Sequence, residues 1–503
     1  MKYRPLMVLG SGSDVGKSIL VAGLCRIFFQ EGIKVAPFKA QNMALNSFIT
    51  PEGGEMGRAQ VVQAQAAGLA PHVDMNPILL KPSSPVGSQV IVQGKVYGNF
   101  SAQEYYRHKP RLVGKVMQSF RRLSRTYDLI ILEGAGSAVE LNLKKNDLVN
   151  FHMAKKADAA VLLVADIDRG GVFAATIGSF HLLTPKERRL LAGFIINKFR
   201  GDPELFREGV RIIQNRTQRP VFGVVPYVPD LILPEEDSVA LGRKPRAGGW
   251  PETGGLRLGV VRLPHISNYT DFDPLEQEPG VTLRYLDHRH GLDGVDLLIL
   301  PGTKNTIVDL IYLKETGLFE EIQNYAAQGG RVLGICGGYQ ILGEEVRDPL
   351  GVEGPPRTEA GLGLLPVVTT MAGDKTTTQV QARASAEQGE ELIIEAYEIH
   401  MGVTEPRGEG RAALEIIDRN GEPVQVADGW RSPDGRVWGT YLHGLFDNDG
   451  FRRAFLGELV QEHRDTVAPV WSFRTFQEEQ LDRLADLLRQ HLDLAKIREL
   501  IQK

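Results

Sequence analysis

Short apolar runs recur along the first part of the chain, with helical segments between them. Each run is continuously apolar, which is typical of strands in a parallel sheet that is covered on both faces. The runs are LMVLG, KVAPF, LIILEG, AVLLVAD, LAGFIINK and VFGVVP. Strands that alternate with helices in this way predict an α/β fold for residues 1–230.

A second series of strand-like runs follows a stretch of different composition. PEEDSVALGRKPRAGGWPETGG is rich in Pro, Gly and charged residues, which is typical of a linker. Beyond it, LRLGVVRL, DLLILPG, RVLGIC, ELIIEAYEIH and VWGTYLHG predict a second α/β domain. The predicted organisation is a first domain at 1–230, a linker at 231–255, a second domain at 256–455 and a C-terminal helical segment at 456–503.

The C-terminal segment has the pattern of an amphipathic helix that is broken once. The apolar positions near helical spacing are Leu481, Leu484, Leu488, Leu492 and Ile497. We expect this helix to pack against the body of the protein.

Composition narrows the class of protein. Hydrophobic residues make up 42% and charged residues 24% of the chain, which is ordinary for a soluble globular protein. The net charge of -4 argues against a nucleic-acid-binding protein, which usually carries a basic face. Cys25 and Cys336 are too few for a disulfide framework, and the chain shows neither a signal peptide nor a long apolar span. We therefore expect a cytoplasmic protein that binds neither nucleic acid nor membrane.

The first strand leads into LGSGSDVGKSIL, which has the features of a phosphate-binding loop. Gly12 and Gly16 let backbone N–H groups converge on phosphate oxygens, Lys17 adds a positive charge, and the Ser18 hydroxyl can reach Mg²⁺. The loop is a variant, because Gly10 lies one position before the place of the usual first glycine. A plain glycine turn would explain the glycines but not the Lys-Ser pair.

Polar residues end several of the predicted strands, where ligands bind in α/β proteins. Glu133 ends LIILE and is predicted to contact Mg²⁺, directly or through water. Lys39 follows KVAPF and could hold a phosphate or a substrate carboxylate. Asp166 and Asp168 in VADIDRGG could bind metal or position the substrate.

Cys336 lies between the strand RVLGI and the helix-like YQILGEE, with two glycines after it. This arrangement predicts a nucleophile elbow, a strained turn that exposes the thiol at a sheet edge and a helix N-terminus. Gly302 in LPGTKNT and Gly337 are predicted to supply oxyanion-binding N–H groups. A cysteine nucleophile needs a base. His443 in GTYLHG suits that role by its place in the chain, and His400 in YEIHMG is the alternative.

LGICGGYQILG, LPGTKNT and TYLHG resemble the class I glutamine amidotransferase domain. The resemblance implies that the cysteine attacks the glutamine amide, forms a glutamyl thioester and releases ammonia. In that family a Glu usually stands two residues after the histidine, and here the position is Leu445. Glu398 is the candidate to orient His443 in its place.

The N-terminal half resembles the dethiobiotin-synthetase type of P-loop ligase. PFKAQNMALNS, EMGRAQVVQAQAAG, NPILLKP, VADIDRGGVFA and NKFRGD extend the resemblance to the cobyric acid synthase family over nearly the whole chain. The resemblance implies a ligase that hydrolyses glutamine and uses ATP and Mg²⁺. Its reaction would convert the b, d, e and g carboxylates of adenosylcobyrinic acid a,c-diamide to amides in cobalamin biosynthesis.

The resemblance also assigns residues to ligands. ATP is assigned to Gly12, Asp14, Gly16, Lys17, Ser18 and Asn197, the corrinoid to Lys39, Gln41, Asn42 and Asn46, and Mg²⁺ to Ser18 and Glu133. The nearest alternative is cobyrinic acid a,c-diamide synthase, which the KAQNMALNS segment disfavours. A partitioning-type ATPase is disfavoured too, because Gly12 stands where its signature lysine would be. The sequence leaves the oligomeric state open.

Overall fold

The chain forms two units in the computed structural model, which describes residues 1–84, 87–234, 250, 255–385, 391–463 and 471–502. The first unit comprises residues 1–43, 56–234 and 475–503, and the second comprises 44–55 and 235–474. Of the predicted linker, residues 235–249 and 251–254 lie outside the described part of the chain.

The first unit is built on a parallel sheet, as the continuous apolar runs predict. Its six strands lie in the order Val221–Pro226, Leu191–Phe199, Ala160–Asp166, Leu6–Gly10, Leu129–Glu133 and Val35–Phe38. Val8 is paired with Glu133 and Gly10 with Val164. The carboxyl ends of the three central strands therefore meet at one edge of the sheet, beside the predicted phosphate loop.

Helices surround this sheet, and a smaller sheet adjoins it. The helices are Lys17–Gln30, Arg58–Ala66, Ala102–Thr126, Phe151–Ala157, Val172–Leu182, Pro185–Leu190 and Arg207–Thr217. The smaller sheet contains Asn42–Met43, Ile78–Ser84, Gly87–Val92 and Lys95–Ser101. Among the described residues, no helix combines the length and the apolar character that a membrane crossing requires.

The predicted C-terminal helix is present as two helices, Phe473–His491 and Leu494–Ile501. All the apolar positions of the predicted pattern are buried, in one core with the parallel sheet. The break comes at Asp493, whose carboxylate caps the second helix and whose N–H donates to the Phe222 carbonyl at 2.7 Å. The helical spacing of these apolar residues therefore reflects the packing of the two helices against the parallel sheet.

Leu488 tests this packing. Its side chain is fully buried, and a Cβ at Gly23 would lie 2.4 Å from its Cδ1, so little space is available for rearrangement. We expect Leu488→Ala to destabilise the protein by about 2–5 kcal/mol, through lost burial and the cavity left behind. Thermal unfolding should show a lowered Tm, whereas Leu205→Ala, at a position 82% exposed, should leave Tm nearly unchanged. An unchanged Tm for Leu488→Ala would show that the packing of this helix contributes little to the stability of the protein.

The second unit also has a parallel sheet. Its strands lie in the order Val281–Leu286, Leu256–Val261, Leu297–Leu300, Arg331–Ile335 and Val437–Thr440, with antiparallel Trp430–Arg431 at the edge. Its helices are Asp273–Glu276, Thr306–Thr316, Leu318–Ala327, Gly337–Leu342 and Asp449–His463. The strand that ends before Cys336 is thus central, with neighbours on both sides.

A second, mostly antiparallel sheet completes this unit. It contains Arg357–Ala360, Glu345–Asp348, Val367–Ser385, Glu391–Pro406 and Leu442–His443, with Leu414–Arg419 and Glu422–Asp428 attached. Segment 44–55 packs here: the Phe48 ring lies 5.0 Å from that of Tyr397, and Ile49 is buried with Ile399. The predicted strand ELIIEAYEIH lies in this sheet and places Tyr397 opposite His443.

Candidate functional site

The predicted phosphate loop directly precedes helix Lys17–Gln30. Gly16 has a φ of 95°, and a Cβ there would lie 2.1 Å from the Asn197 side-chain nitrogen, so glycine is required. The Lys17 ammonium group donates to the Gly12 carbonyl at 2.9 Å. The loop therefore presents backbone N–H groups and one cation at the carboxyl edge of the sheet, a suitable arrangement for phosphate.

Glu133 is the centre of a buried polar network at the same edge. Its Oε1 accepts hydrogen bonds from Ser18 Oγ and Lys39 Nζ, both at 2.8 Å. Its Oε2 accepts from the side-chain amides of Gln63 at 2.6 Å and Gln60 at 3.3 Å. Burial alone would raise the pKa of Glu133, but Lys39 and the other donors together hold it below its usual value. The network therefore maintains a buried anion beside the loop.

Gln60 and Gln63 were not among the predicted site residues. They lie on helix Arg58–Ala66, and their spacing of three places both on the same helical face. Both are fully buried. In the sequence, the available signal was a pair of glutamines at this spacing among Ala and Val residues, because amides on a packed helix face require partners.

Ser18 and Glu133 provide a donor set that fits Mg²⁺. They offer a hydroxyl and a carboxylate oxygen 2.8 Å apart, and Mg²⁺ in nucleotide sites takes one or two such protein ligands with phosphates and water. Among the described residues, no group of three or more His, Cys, Asp or Glu side chains could hold a metal alone. The residues therefore suit a metal ion that arrives with a nucleotide.

Two side chains of strand Leu191–Phe199 donate hydrogen bonds to the phosphate loop. The Asn197 side chain donates to the Val15 carbonyl at 2.8 Å, and Lys198 donates to the Asp14 carbonyl. The structure therefore brings Asn197 and Asp14, both predicted to contact ATP, to the phosphate loop.

Asp166 and Asp168 are engaged in ion pairs. Asp166 lies 2.9 Å from Lys198 Nζ, and Asp168 pairs with Arg200. Asp166 thus pairs with a cation of the neighbouring strand and Asp168 with the residue that directly follows that strand. A role of either carboxylate in binding metal or substrate stays a prediction.

The predicted corrinoid-binding residues are divided between the units. Lys39 and Asn42 both join the carboxylate network described above. Gln41 accepts a hydrogen bond from the Tyr105 hydroxyl at 2.6 Å. Asn46 is buried in segment 44–55 of the second unit. Lys39, Gln41 and Asn42 therefore belong to the first unit, and Asn46 belongs to the second.

Cys336 occupies a strained turn between strand Arg331–Ile335 and helix Gly337–Leu342. Its φ of 52° and ψ of -109° are rare for a residue with a side chain. The sulfur lies 3.6 Å from the Ile399 carbonyl oxygen. The local structure is the predicted elbow, with the cysteine at the start of a helix. Cys336 is only 7% exposed, however, so the prediction of an exposed thiol is wrong.

The loop that contains Gly302 packs against this elbow. A Cβ at Gly337 would lie 3.0 Å from the Thr303 backbone nitrogen, and a Cβ at Gly302 would lie 3.1 Å from His443 Cε1. Both predicted oxyanion positions are therefore close to the other residues of this site, and neither leaves room for a side chain.

His443 is held by the carboxylate of Asp271, which was not among the predicted site residues. Its Nδ1 lies 2.6 Å from Asp271 Oδ2, and the other oxygen of Asp271 accepts from the Gly444 N–H at 3.2 Å. The Tyr397 ring stacks on the imidazole at a centroid distance of 5.2 Å. The Nε2 atom is buried and has no hydrogen-bond partner in the part of the chain that the structure describes. Asp271 thus fixes the ring and leaves Nε2 available.

The environment of His443 favours its charged form. Burial disfavours the imidazolium, but the charge and hydrogen bond of Asp271, together with the Cys336 thiol, raise the pKa of His443 to about 10. The protonated imidazole is thus available as a proton donor beside Cys336.

The two candidate histidines have different partners: His443 is close to Cys336, and His400 is close to Glu398. The assignment of His443 as the base stays a prediction, but the choice of Glu398 is corrected. His400 stacks on Tyr441 at 3.8 Å, and its Nε2 lies 3.6 Å from Glu398, which also binds Arg419 at 2.9 Å. The prediction that Glu398 orients His443 is wrong. Since Tyr397 lies opposite His443 in the strand pair, the next residue points to the other face of the sheet.

Two models of known domain families match successive parts of the chain. Residues 6–239 match the CobQ/CobB/MinD/ParA nucleotide binding domain, and residues 257–451 match the CobB/CobQ-like glutamine amidotransferase domain. A cobyric acid synthase from Syntrophobacter fumaroxidans is 57% identical, with 99% of each chain covered. Those from Caldanaerobacter subterraneus and Salmonella heidelberg are 46% and 48% identical, each covering 99% of this chain and 98% of the relative.

Proposed function

The chain belongs to the cobyric acid synthase family, whose members are glutamine-dependent ligases of cobalamin biosynthesis, and we propose that it amidates the b, d, e and g carboxylates of adenosylcobyrinic acid a,c-diamide. The observation that carries the proposal is the presence of two distinct sites in one chain. One is a phosphate loop beside buried Glu133, and the other is Cys336 with His443 and Asp271. A carboxylate is a poor electrophile, so its amidation needs both an activating site and a source of ammonia.

In the first unit, ATP activates the carboxylate. A carboxylate oxygen of the corrinoid attacks the γ-phosphorus of ATP, and the bond from that phosphorus to the bridging oxygen breaks. ADP departs, and the carboxylate has become an acyl phosphate. Lys17 and the loop N–H groups stabilise the transferred charge. Ser18 and Glu133 would hold Mg²⁺, which neutralises phosphate charge when bound. Ammonia then attacks the acyl carbon, and phosphate leaves.

In the second unit, Cys336 releases that ammonia from glutamine. The thiolate attacks the side-chain amide carbon, and N–H groups at Gly302 and Gly337 stabilise the oxyanion. His443 gives the proton on Nε2 to the departing nitrogen, which leaves a glutamyl thioester. Water, deprotonated by the now neutral His443, hydrolyses the thioester to glutamate. Asp271 keeps the imidazole oriented throughout.

Product analysis tests the substrate. With ATP and glutamine, the protein should convert adenosylcobyrinic acid a,c-diamide through four successive products, each with one OH replaced by NH₂, as mass spectrometry would show. Cobyrinic acid itself, the substrate of the a,c-diamide synthase, is the comparison. A preference for amidating its a and c groups, or no product from either acid, would contradict the proposal.

A further inference from the structure

A second group of polar side chains surrounds Gln41, apart from the phosphate loop. Tyr105 is 7% exposed, and its hydroxyl donates to Gln41 Oε1 at 2.6 Å. Tyr105 lies in the first turn of helix Ala102–Thr126, which Ser101 and Glu104 fix through a reciprocal capping box. Because the hydroxyl occupies the amide oxygen, the Gln41 Nε2 group is the end left to donate. Within the described residues, the Gln41 Nε2 group has no protein acceptor.

Lys109 lies one helical turn after Tyr105. Its Nζ is 5.9 Å from the centroid of the Tyr105 ring and 5.7 Å from that of Tyr106. Burial lowers the pKa of Lys109, and the charge of Asp147 opposes this effect. Within the described ranges, no carboxylate lies within 4.0 Å of its ammonium group. A half-buried ammonium without a close counter-ion retains a strong preference for an anionic ligand.

Further aromatic side chains cluster around His108, the residue before Lys109. Tyr97 and Phe100 pack on His108, at ring distances of 5.9 and 4.7 Å. Tyr97 is 44% exposed and Tyr106 is 37% exposed. Aromatic surface, one cation and one amide donor therefore occur together in this part of the unit.

This group also lies close to the activation site. Lys39, two residues before Gln41, binds the oxygen of Glu133 that also accepts from Ser18. A carboxylate activated at the phosphate loop would leave other side chains of a corrinoid extending beyond it.

We propose that Gln41 and Lys109 bind a carboxylate of the corrinoid other than the one being phosphorylated, with Tyr105 as the residue that positions the Gln41 amide. A carboxylate fits because the ammonium group and the amide N–H are both donors, and an ionised carboxylate only accepts. The site would select a substrate with several carboxylates and present one of them to ATP. This inference rests on the proposed function.

Equilibrium dialysis of adenosylcobyrinic acid a,c-diamide, followed by its visible absorbance, tests the site. We expect Lys109→Gln to raise the Kd for this acid about tenfold or more, since a charge-assisted hydrogen bond is lost. Tyr105→Phe should raise it about threefold, because Gln41 is no longer fixed. Lys109→Arg should retain part of the affinity. Lys115→Gln is the matched control, since it removes an exposed lysine from the same helix and should leave Kd unchanged.

The outcomes separate this inference from the function on which it rests. If the wild-type protein neither binds nor amidates the acid, both fail. If the wild-type protein amidates it but Lys109→Gln binds it with unchanged Kd, the Lys109 site alone is overturned. ATP affinity and glutamine hydrolysis, measured on the same preparations, report folding. Should Lys109→Gln be misfolded, Tyr105→Phe decides: a raised corrinoid Kd supports the site, and an unchanged one overturns it.

Discussion

Replacing Asp271 by Asn is expected to lower kcat for glutamine hydrolysis by about 10²–10⁴-fold, the range known for losing the orienting carboxylate of a catalytic triad. Asp271 is the hydrogen-bond partner of His443 Nδ1, at 2.6 Å. Without its charge, the imidazole loses both its fixed orientation and the stabilisation of its protonated form. Glutamate release from glutamine measures the effect.

The same variant should change the pH dependence of that activity. The pKa of His443 is raised from 6.5, so the imidazolium that protonates the leaving nitrogen persists well above neutral pH in the wild-type protein. In Asp271→Asn the alkaline limb of the kcat/KM profile should move down by about 1–3 units, the usual effect of a close opposite charge. The ion pair likewise stabilises the folded protein fully below pH 6.5, and this contribution is lost as pH rises towards 10.

Asp293→Asn is the matched control for Asp271. It removes a carboxylate from an exposed position of the same unit and should leave both kcat and the pH profile unchanged. If Asp271→Asn kept wild-type glutaminase activity and an unshifted alkaline limb, the role of Asp271 as the orienting carboxylate would be disproved.

Lys17→Met should lower the rate of ATP-dependent amide formation by at least about 10³-fold, because Lys17 is the loop cation that stabilises the transferred phosphoryl group. Glutamine hydrolysis should fall far less, since Cys336 and its partners lie in the other unit. Amide formation is measured with ammonium as the nitrogen source, so that the glutaminase does not limit it. The control is Lys34→Met, at an exposed position just before strand Val35–Phe38. Near-normal amidation by Lys17→Met would refute the assignment of the loop.

Local patterns were enough to predict the parallel sheet of the first unit and the elbow. Continuous apolar runs mark parallel strands because such strands are buried on both faces, and all six runs of the first domain are strands. The elbow at Cys336 is likewise a local feature, since its glycines and the flanking strand and helix are contiguous in the chain.

Contacts between distant parts of the chain could not be predicted in this way. Asp271 lies 172 positions before His443, in a short turn with no recognisable spacing, so nothing near the histidine indicated its partner. Glu398 was chosen because it is acidic and close to His400 in sequence, but the alternation of side chains along a strand directs it away from His443. The placement of segment 44–55 in the second unit also depends on tertiary packing, of Phe48 and Ile49 against Tyr397.

The dependence of amidation on nitrogen source tests the two-site account most directly. Wild-type protein, Cys336→Ala and Cys25→Ala would each be given ATP and adenosylcobyrinic acid a,c-diamide, with either glutamine or ammonium. Cys25, the other cysteine of the chain, is buried with a raised pKa and serves as the matched control. If the two sites act separately, Cys336→Ala should form amides from ammonium but not from glutamine, whereas the other two proteins should use both. Glutamine-dependent amidation by Cys336→Ala at the wild-type rate would contradict the two-site account.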